Sequence, residues 1–111
     1  MSGHPPRPGS LQISSALVDG AVRVSLEGEL DLSCAPRMEE HFTAIDEQAP
    51  ARVVVDLSGL AFLDSSGLRV LLLADARARE HSYELVLLAG RESVQRVFEM
   101  TGALDILRFE S

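Results

Sequence analysis

The chain has 111 residues, 46% hydrophobic and 24% charged, with a formal net charge of -7 at pH 7. That is one domain's worth of chain with a single core, and the acidic balance argues against nucleic-acid or anionic-membrane partners, which require clustered cations. Every basic residue is Arg, which excludes a P-loop lysine, a Schiff-base lysine and the Ser-x-x-Lys pair of some serine enzymes.

The opening Met1 to Ser10 carries three of the five prolines and two glycines. It reads as a disordered tail before a domain over 11–111. Leu11 and Ile13, then Val22, Val24 and Leu26, alternate with polar neighbours around Asp19-Gly20, the pattern of two antiparallel strands joined by a tight turn. From Ala35 the period changes: Met38, Phe42, Ile45 and Ala49 predict an amphipathic helix ending before Pro50, with Ser33 available as its cap and Pro36 in its first turn. Val53-Val54-Val55 reads as a strand covered on both faces. Ser58-Gly59 reads as the start of a short connection into Asp64. A second helix is expected over about 66–81, a buried strand over 85–88, and a third helix over 92–101 ended by Gly102. Residues 106–109 supply a last short strand or helix. This element order means an α/β domain with a mixed sheet.

The single Cys34 cannot form an internal disulfide, which fits a reducing compartment. The longest apolar run, Val70 to Ala74, is far short of the roughly 20 residues that span a bilayer, so a cytoplasmic protein without direct membrane insertion is expected. His4, His41 and His81 show no metal-ligand spacing, and His41 and His81 read as solvated helix residues. No cofactor is expected.

The stretch Asp64-Ser65-Ser66-Gly67 lies between an apolar strand-like run and an apolar helix-like run. It is not a nucleophile elbow, and no His is forced near it, so no hydrolase is expected. Asp56, at the end of a buried strand, has the position of a phospho-accepting aspartate, but the lysine of that chemistry is missing; its simpler role is to hydrogen-bond the Ser58-Gly59 turn. Asp64 is placed to accept the amide of Ser66 or Gly67, to orient Ser65, or to be solvated. Glu29 and Asp31 form either a charged loop or a patch for a basic partner. In the second helix Leu68, Leu71 and Leu72 share a core face. Val70 and Leu73 point elsewhere, and either pack under neighbouring helices or form an apolar rim beside Ser65.

Three blocks occur together: Leu26-Glu27-Gly28-Glu29-Leu30-Asp31; Val53-Val54-Val55-Asp56-Leu57-Ser58 leading to Phe62-Leu63-Asp64-Ser65-Ser66-Gly67-Leu68; and Val97-Phe98-Glu99-Met100-Thr101-Gly102. In order and spacing they resemble the anti-sigma factor antagonist family of STAS domains, over about residues 11 to 109. The resemblance implies a single STAS-like domain, a small mixed sheet with helices packed largely on one side. It also implies a binding switch, not an enzyme. The unphosphorylated form would engage an anti-sigma factor that is a serine kinase and release a sigma factor; phosphorylation at Ser65 would dissociate the pair, and a serine phosphatase would reverse it. Ser66 is the competing acceptor and Thr101 a distant third. Asp31, Asp64, Ser65, Ser66, Gly67, Val70 and Leu73 are the expected partner-binding residues. Arg69 stands where the family pattern commonly has a second Gly. The alternative is a STAS subunit of a membrane transport system, in which Ser65 only caps a helix.

Overall fold

The computed structural model describes residues 10–110. Of the expected tail over residues 1–10, residues 1–9 lie outside the described residues, and the Ser10 carbonyl accepts the Glu29 amide at 2.7 Å. Strand β1 (Leu11–Val18) turns at Asp19 and Gly20, both with positive φ, into β2 (Ala21–Leu30). Helix α1 (Ala35–Glu47) leads to β3 (Arg52–Leu63), helix α2 (Ser65–Glu80), β4 (Glu84–Leu88), helix α3 (Glu92–Thr101), a 3-10 turn (Ala103–Asp105) and β5 (Phe109–Glu110). The five strands form one sheet in chain order; β1 is antiparallel to β2, and the other neighbours run parallel.

All three helices share one hydrophobic core with one face of this sheet. Val22, Val24 and Leu26 of β2 and Val53, Val55 and Leu57 of β3 point into it, against Met38 and Phe42 of α1, Leu71 of α2 and Phe98 of α3. Burial of these side chains contributes roughly 1.5–3 kcal/mol each. The Phe98 ring meets Phe109 edge-on at 5.1 Å, which fixes the last strand to α3. Gly102 ends α3 in the left-handed conformation, φ 80, that its lack of a Cβ permits.

Several expectations are corrected. Val54 is only half-buried, because no helix covers its face of the sheet. That face instead carries ion pairs: Arg23 with Asp56, Arg52 with Glu84 and Glu110, and Arg108 with Glu84. Val54 lies in register between Arg23 and Val86, and arginine stems can shield such apolar rows while their heads stay wet. Ser58 and Gly59 do not begin a connection; they lie inside β3, which runs on to Leu63 past two bulges. Ser25 pairs with Asp56 but Glu27 with Gly59, and Gly28 pairs with Leu60 but Glu29 with Phe62. Ser33 does not cap α1: the N-cap is Cys34, without a side-chain bond, and the Ser33 hydroxyl donates to Asp31 instead. His41 is half-buried and shares a 2.6 Å hydrogen bond with Ser15. Burial holds its imidazole below the ordinary histidine range.

At the end of the molecule where β3 and β4 begin, a polar knot joins the helices to the sheet. Asp46 of α1 accepts from the Arg77 guanidinium of α2 at 2.5 Å and from the Tyr83 hydroxyl just before β4. Burial and the Asp46 carboxylate push the Tyr83 hydroxyl well above the ordinary tyrosine range. At the opposite end, the first turn of α2 presses on β2. A Cβ on Gly67 would lie 2.5 Å from the Leu30 carbonyl oxygen and 2.7 Å from the Leu63 side chain.

This packing has two consequences for stability. Gly67→Ala gains about 1 kcal/mol of helix propensity, but the backbone carbonyl it meets cannot swing away, and overpacking of this kind costs about 1–3 kcal/mol. Urea melts should therefore show net destabilisation. Asp56 accepts the Ser58 amide at 2.9 Å and Arg23 at 2.8 Å. Burial raises its carboxyl, but the Ser58 and Arg23 hydrogen bonds outweigh it and leave the group below the ordinary carboxylate range. Its stabilisation is thus complete above the unfolded value of about 3.9 and is lost as pH falls through the lower native value. Asp56→Asn should lose about 1 kcal/mol at pH 7, and thermal melts of variant and parent should converge in acid below the native value.

Candidate functional site

The carboxyl ends of β2 and β3 and the start of α2 form one edge of the domain, where loops of parallel sheets commonly carry function. Asp64 is the extended N-cap of α2 and accepts the Gly67 amide at 2.9 Å. It holds the turn, as its position before a helix suggests. The Asp64 amide in turn donates to the Leu30 carbonyl at 3.3 Å, and the Asp64 carbonyl accepts the Leu68 amide at 2.9 Å. Asp64 is therefore consumed in positioning. Ser65, the first residue of α2, is exposed, and its hydroxyl makes no hydrogen bond among the described residues. Ser66 is half-buried and Gly67 is buried.

Thr101 sits elsewhere, in the last turn of α3. Its hydroxyl donates to the Val97 carbonyl at 2.7 Å. A dianion there would meet the negative end of a helix dipole, whereas at Ser65 it would meet the positive end.

Asp31 comes directly after β2 and organises the loop that flanks Ser65. Its carboxylate accepts the Ser33 amide at 3.0 Å and the Ser33 hydroxyl at 2.7 Å, and these bonds hold its carboxyl below the ordinary carboxylate range. Cys34, buried under the same loop, points its thiol at the Glu29 carbonyl at 3.4 Å and packs in the core. Glu29 belongs to the last residues of β2, paired with Phe62.

The structure separates Val70 from Leu73. Val70 is 3% exposed and belongs to the core, reaching the surface only at the floor of the groove between α1 and α2. Leu73 is 40% exposed and lines a groove of about 300 Å³ between α1 and α2, with Phe42 and Thr43. Two turns of helix, about 12 Å, separate it from Ser65. Exposed apolar side chains at the carboxyl ends of β2 and β3 are instead Leu32, 72% exposed, two residues after β2, and Phe62, 47% exposed, three residues before Ser65. Sequence reasoning missed both. Phe62 falls in the stretch read as a connection, whereas it lies in β3, two residues after the buried Leu60, and the bulge at Ala61 turns it outward. Leu32 is an isolated leucine between the polar Asp31 and Ser33. Arg69, one helical turn beyond Ser65, is exposed and forms no ion pair among the described residues.

Among the described residues no helix is long and apolar enough to cross a membrane, and no cluster of three His, Cys, Asp or Glu could hold a metal ion. A family model described as "Mlab, STAS domain" matches residues 13–108. BtrV of Bordetella bronchiseptica, a candidate anti-sigma factor antagonist, is 33% identical over 96 residues, covering 86% of this chain and 83% of the relative. The anti-sigma-B factor antagonist of Staphylococcus aureus is 28% identical over 98 residues, 88% of this chain and 91% of the relative. A crystal structure of an anti-sigma factor antagonist from Mycobacterium paratuberculosis superposes with a TM-score of 0.86 at 27% identity, covering 95% of this chain and 89% of the other. SpoIIAA of Bacillus in its phosphorylated form shares the fold, with a TM-score of 0.67 at 22% identity and 91% of each chain covered. The chain belongs to the STAS-domain family, with anti-sigma factor antagonists among its relatives.

Proposed function

We propose that this chain is an anti-sigma factor antagonist, a cytoplasmic binding switch that docks an anti-sigma factor through the edge around Ser65 and is released by phosphorylation there. The observation that carries this reading is the exposed Ser65 hydroxyl, without a hydrogen bond among the described residues, on the first residue of a helix whose N-cap is already filled by Asp64. The names of the relatives support the same role. In this role the chain is a substrate and ligand rather than a catalyst. The anti-sigma factor acts as the serine kinase, transferring a phosphoryl group from ATP to the Ser65 oxygen as that oxygen loses its proton. A serine phosphatase restores the hydroxyl.

The physics of the switch is local. A phosphate adds about 1.5 to 2 negative charges at the edge of the domain that also exposes the apolar side chains Leu32 and Phe62. A partner seated on those side chains would then have to bury a dianion or withdraw. Within the chain the same charge faces the positive end of α2, and Arg69 stands at the i+4 position, so the fold can carry it. Asp31, ionised and held by Ser33, supplies a fixed negative charge for a basic partner surface.

Incubation with the cognate anti-sigma factor and ATP should label Ser65, read by mass spectrometry, and Ser65→Ala should abolish labelling. Modification confined to Ser66 or Thr101 would overturn the assignment. Phosphorylated protein should melt within a few degrees of the parent, a change of roughly 1 kcal/mol or less, while losing its partner. Collapse of the melting transition would instead assign the loss of binding to unfolding. Asp31→Asn should slow association about two- to fivefold at low salt and less at high salt, whereas Glu84→Gln, on the open sheet face, should leave it unchanged. Ser33→Ala, which loosens the loop but keeps the charge, separates steering from loop order in the same stopped-flow experiment.

A further inference from the structure

We propose that two copies of this chain associate through their β1 strands, antiparallel across a two-fold axis at Ser15, joining two five-stranded sheets into one continuous sheet. This inference is independent of the role assigned to Ser65.

β1 is an edge strand of eight residues, and its outward hydrogen-bonding groups can be read off two contacts. The Ser10 carbonyl accepts from Glu29 on β2, so the even-numbered residues bond inward. The Leu11 carbonyl accepts from Arg37 on α1, so the odd-numbered residues point their amides and carbonyls away from β2. Among the described residues, Ile13, Ser15 and Leu17 thus present an unpaired ladder edge. Proteins usually blunt such an edge with charge, proline or a bulge. Leu11 to Val18 contains neither charge nor proline, and its pairing with β2 runs without a bulge.

The occupant that fits is a second copy. The chain carries a net charge of -7, so a self-contact must avoid adding like charges, and this strand is neutral. With the axis at Ser15, Ile13 of each copy faces Leu17 of the other, and about six backbone hydrogen bonds form. Both side chains lie on the helix-bearing face of the sheet, since Ile13 is opposite Leu26 and Leu17 opposite Val22. Leu17, 75% exposed in one copy, gains an apolar neighbour. The same register leaves the Arg37 to Leu11 bond intact and brings Asp19 alongside Leu11 of the other copy. Asp19 then approaches the second copy's Arg37. Neither residue has an ionic partner among the described residues, and two reciprocal pairs would close the ends of the junction.

Sedimentation equilibrium of the full chain over a rising concentration series tests this. The mass should rise from 12.0 kDa toward twice that value. Leu17→Lys should raise the dissociation constant at least about tenfold with circular dichroism unchanged, since that side chain is exposed. Asp19→Arg alone should weaken association, and Asp19→Arg with Arg37→Asp should restore it. A parent monomeric throughout, a dimer indifferent to Leu17→Lys, or a charge swap without restoration would each overturn the proposal.

Discussion

One carbonyl oxygen governs the functional end of this domain. The Leu30 carbonyl receives the Asp64 amide and also lies so close to Gly67 that a Cβ at this position would sit 2.5 Å from it. The end of β2, the end of β3 and the first turn of α2 are thereby fixed against a single group. With α2 seated so low, the Asp64 carboxylate reaches the Gly67 amide, and the residue between the cap and the buried turn has only solvent before it. The exposure of Ser65 is thus a result of tertiary packing as much as of local helix geometry.

The two bulges in β3 serve the same end. They give β3 two residues more than the stretch of β2 it pairs with, and each reverses the facing of the residues beyond it. Leu60 remains in the core, Phe62 is turned to the surface, and Leu63 returns to the core beneath Gly67. Without the second bulge Phe62 would share the inward facing of Leu60, whereas the two bulges together restore the alternation set by Val53, Val55 and Leu57, with Leu63 inward and Phe62 exposed. Chemistry and contact surface are therefore set by one irregular strand.

Much of this was legible in the sequence where local physical chemistry decides the outcome. Asp19-Gly20 specified its turn, Gly102 its helix end, and Asp64 its cap, because each rests on backbone conformations or short-range bonds that few residues satisfy. The parts that were not legible depend on neighbours distant in sequence. Ser33 had the chemistry of a cap, but Asp31 competed for its hydroxyl. Val70 and Leu73 are equally apolar, and only the position of α1 decides that the first is buried at the floor of the groove and the second is exposed at its wall. The period of two along β3 could not reveal its bulges, since the register belongs to the pairing with β2. Val54 looked doubly buried because branched apolar runs usually are, whereas here arginine and glutamate side chains occupy the face a helix would otherwise cover.

The polar knot of Asp46, Arg77 and Tyr83 lies at the opposite end of α2 from Ser65. It ties both long helices to the entry of β4, deep enough that the Asp46 side chain is only 6% exposed. Near Ser65, by contrast, α2 is held by a cap and close steric contact, with no ion pair among the described residues. The helix is therefore anchored at both ends, by an ion pair and hydrogen bonds at its tail and by a cap and close packing at its tip. The two anchors differ in chemistry: acid that protonates Asp46 would loosen the tail, whereas the packing of Gly67 against the Leu30 carbonyl at the tip carries no charge to lose.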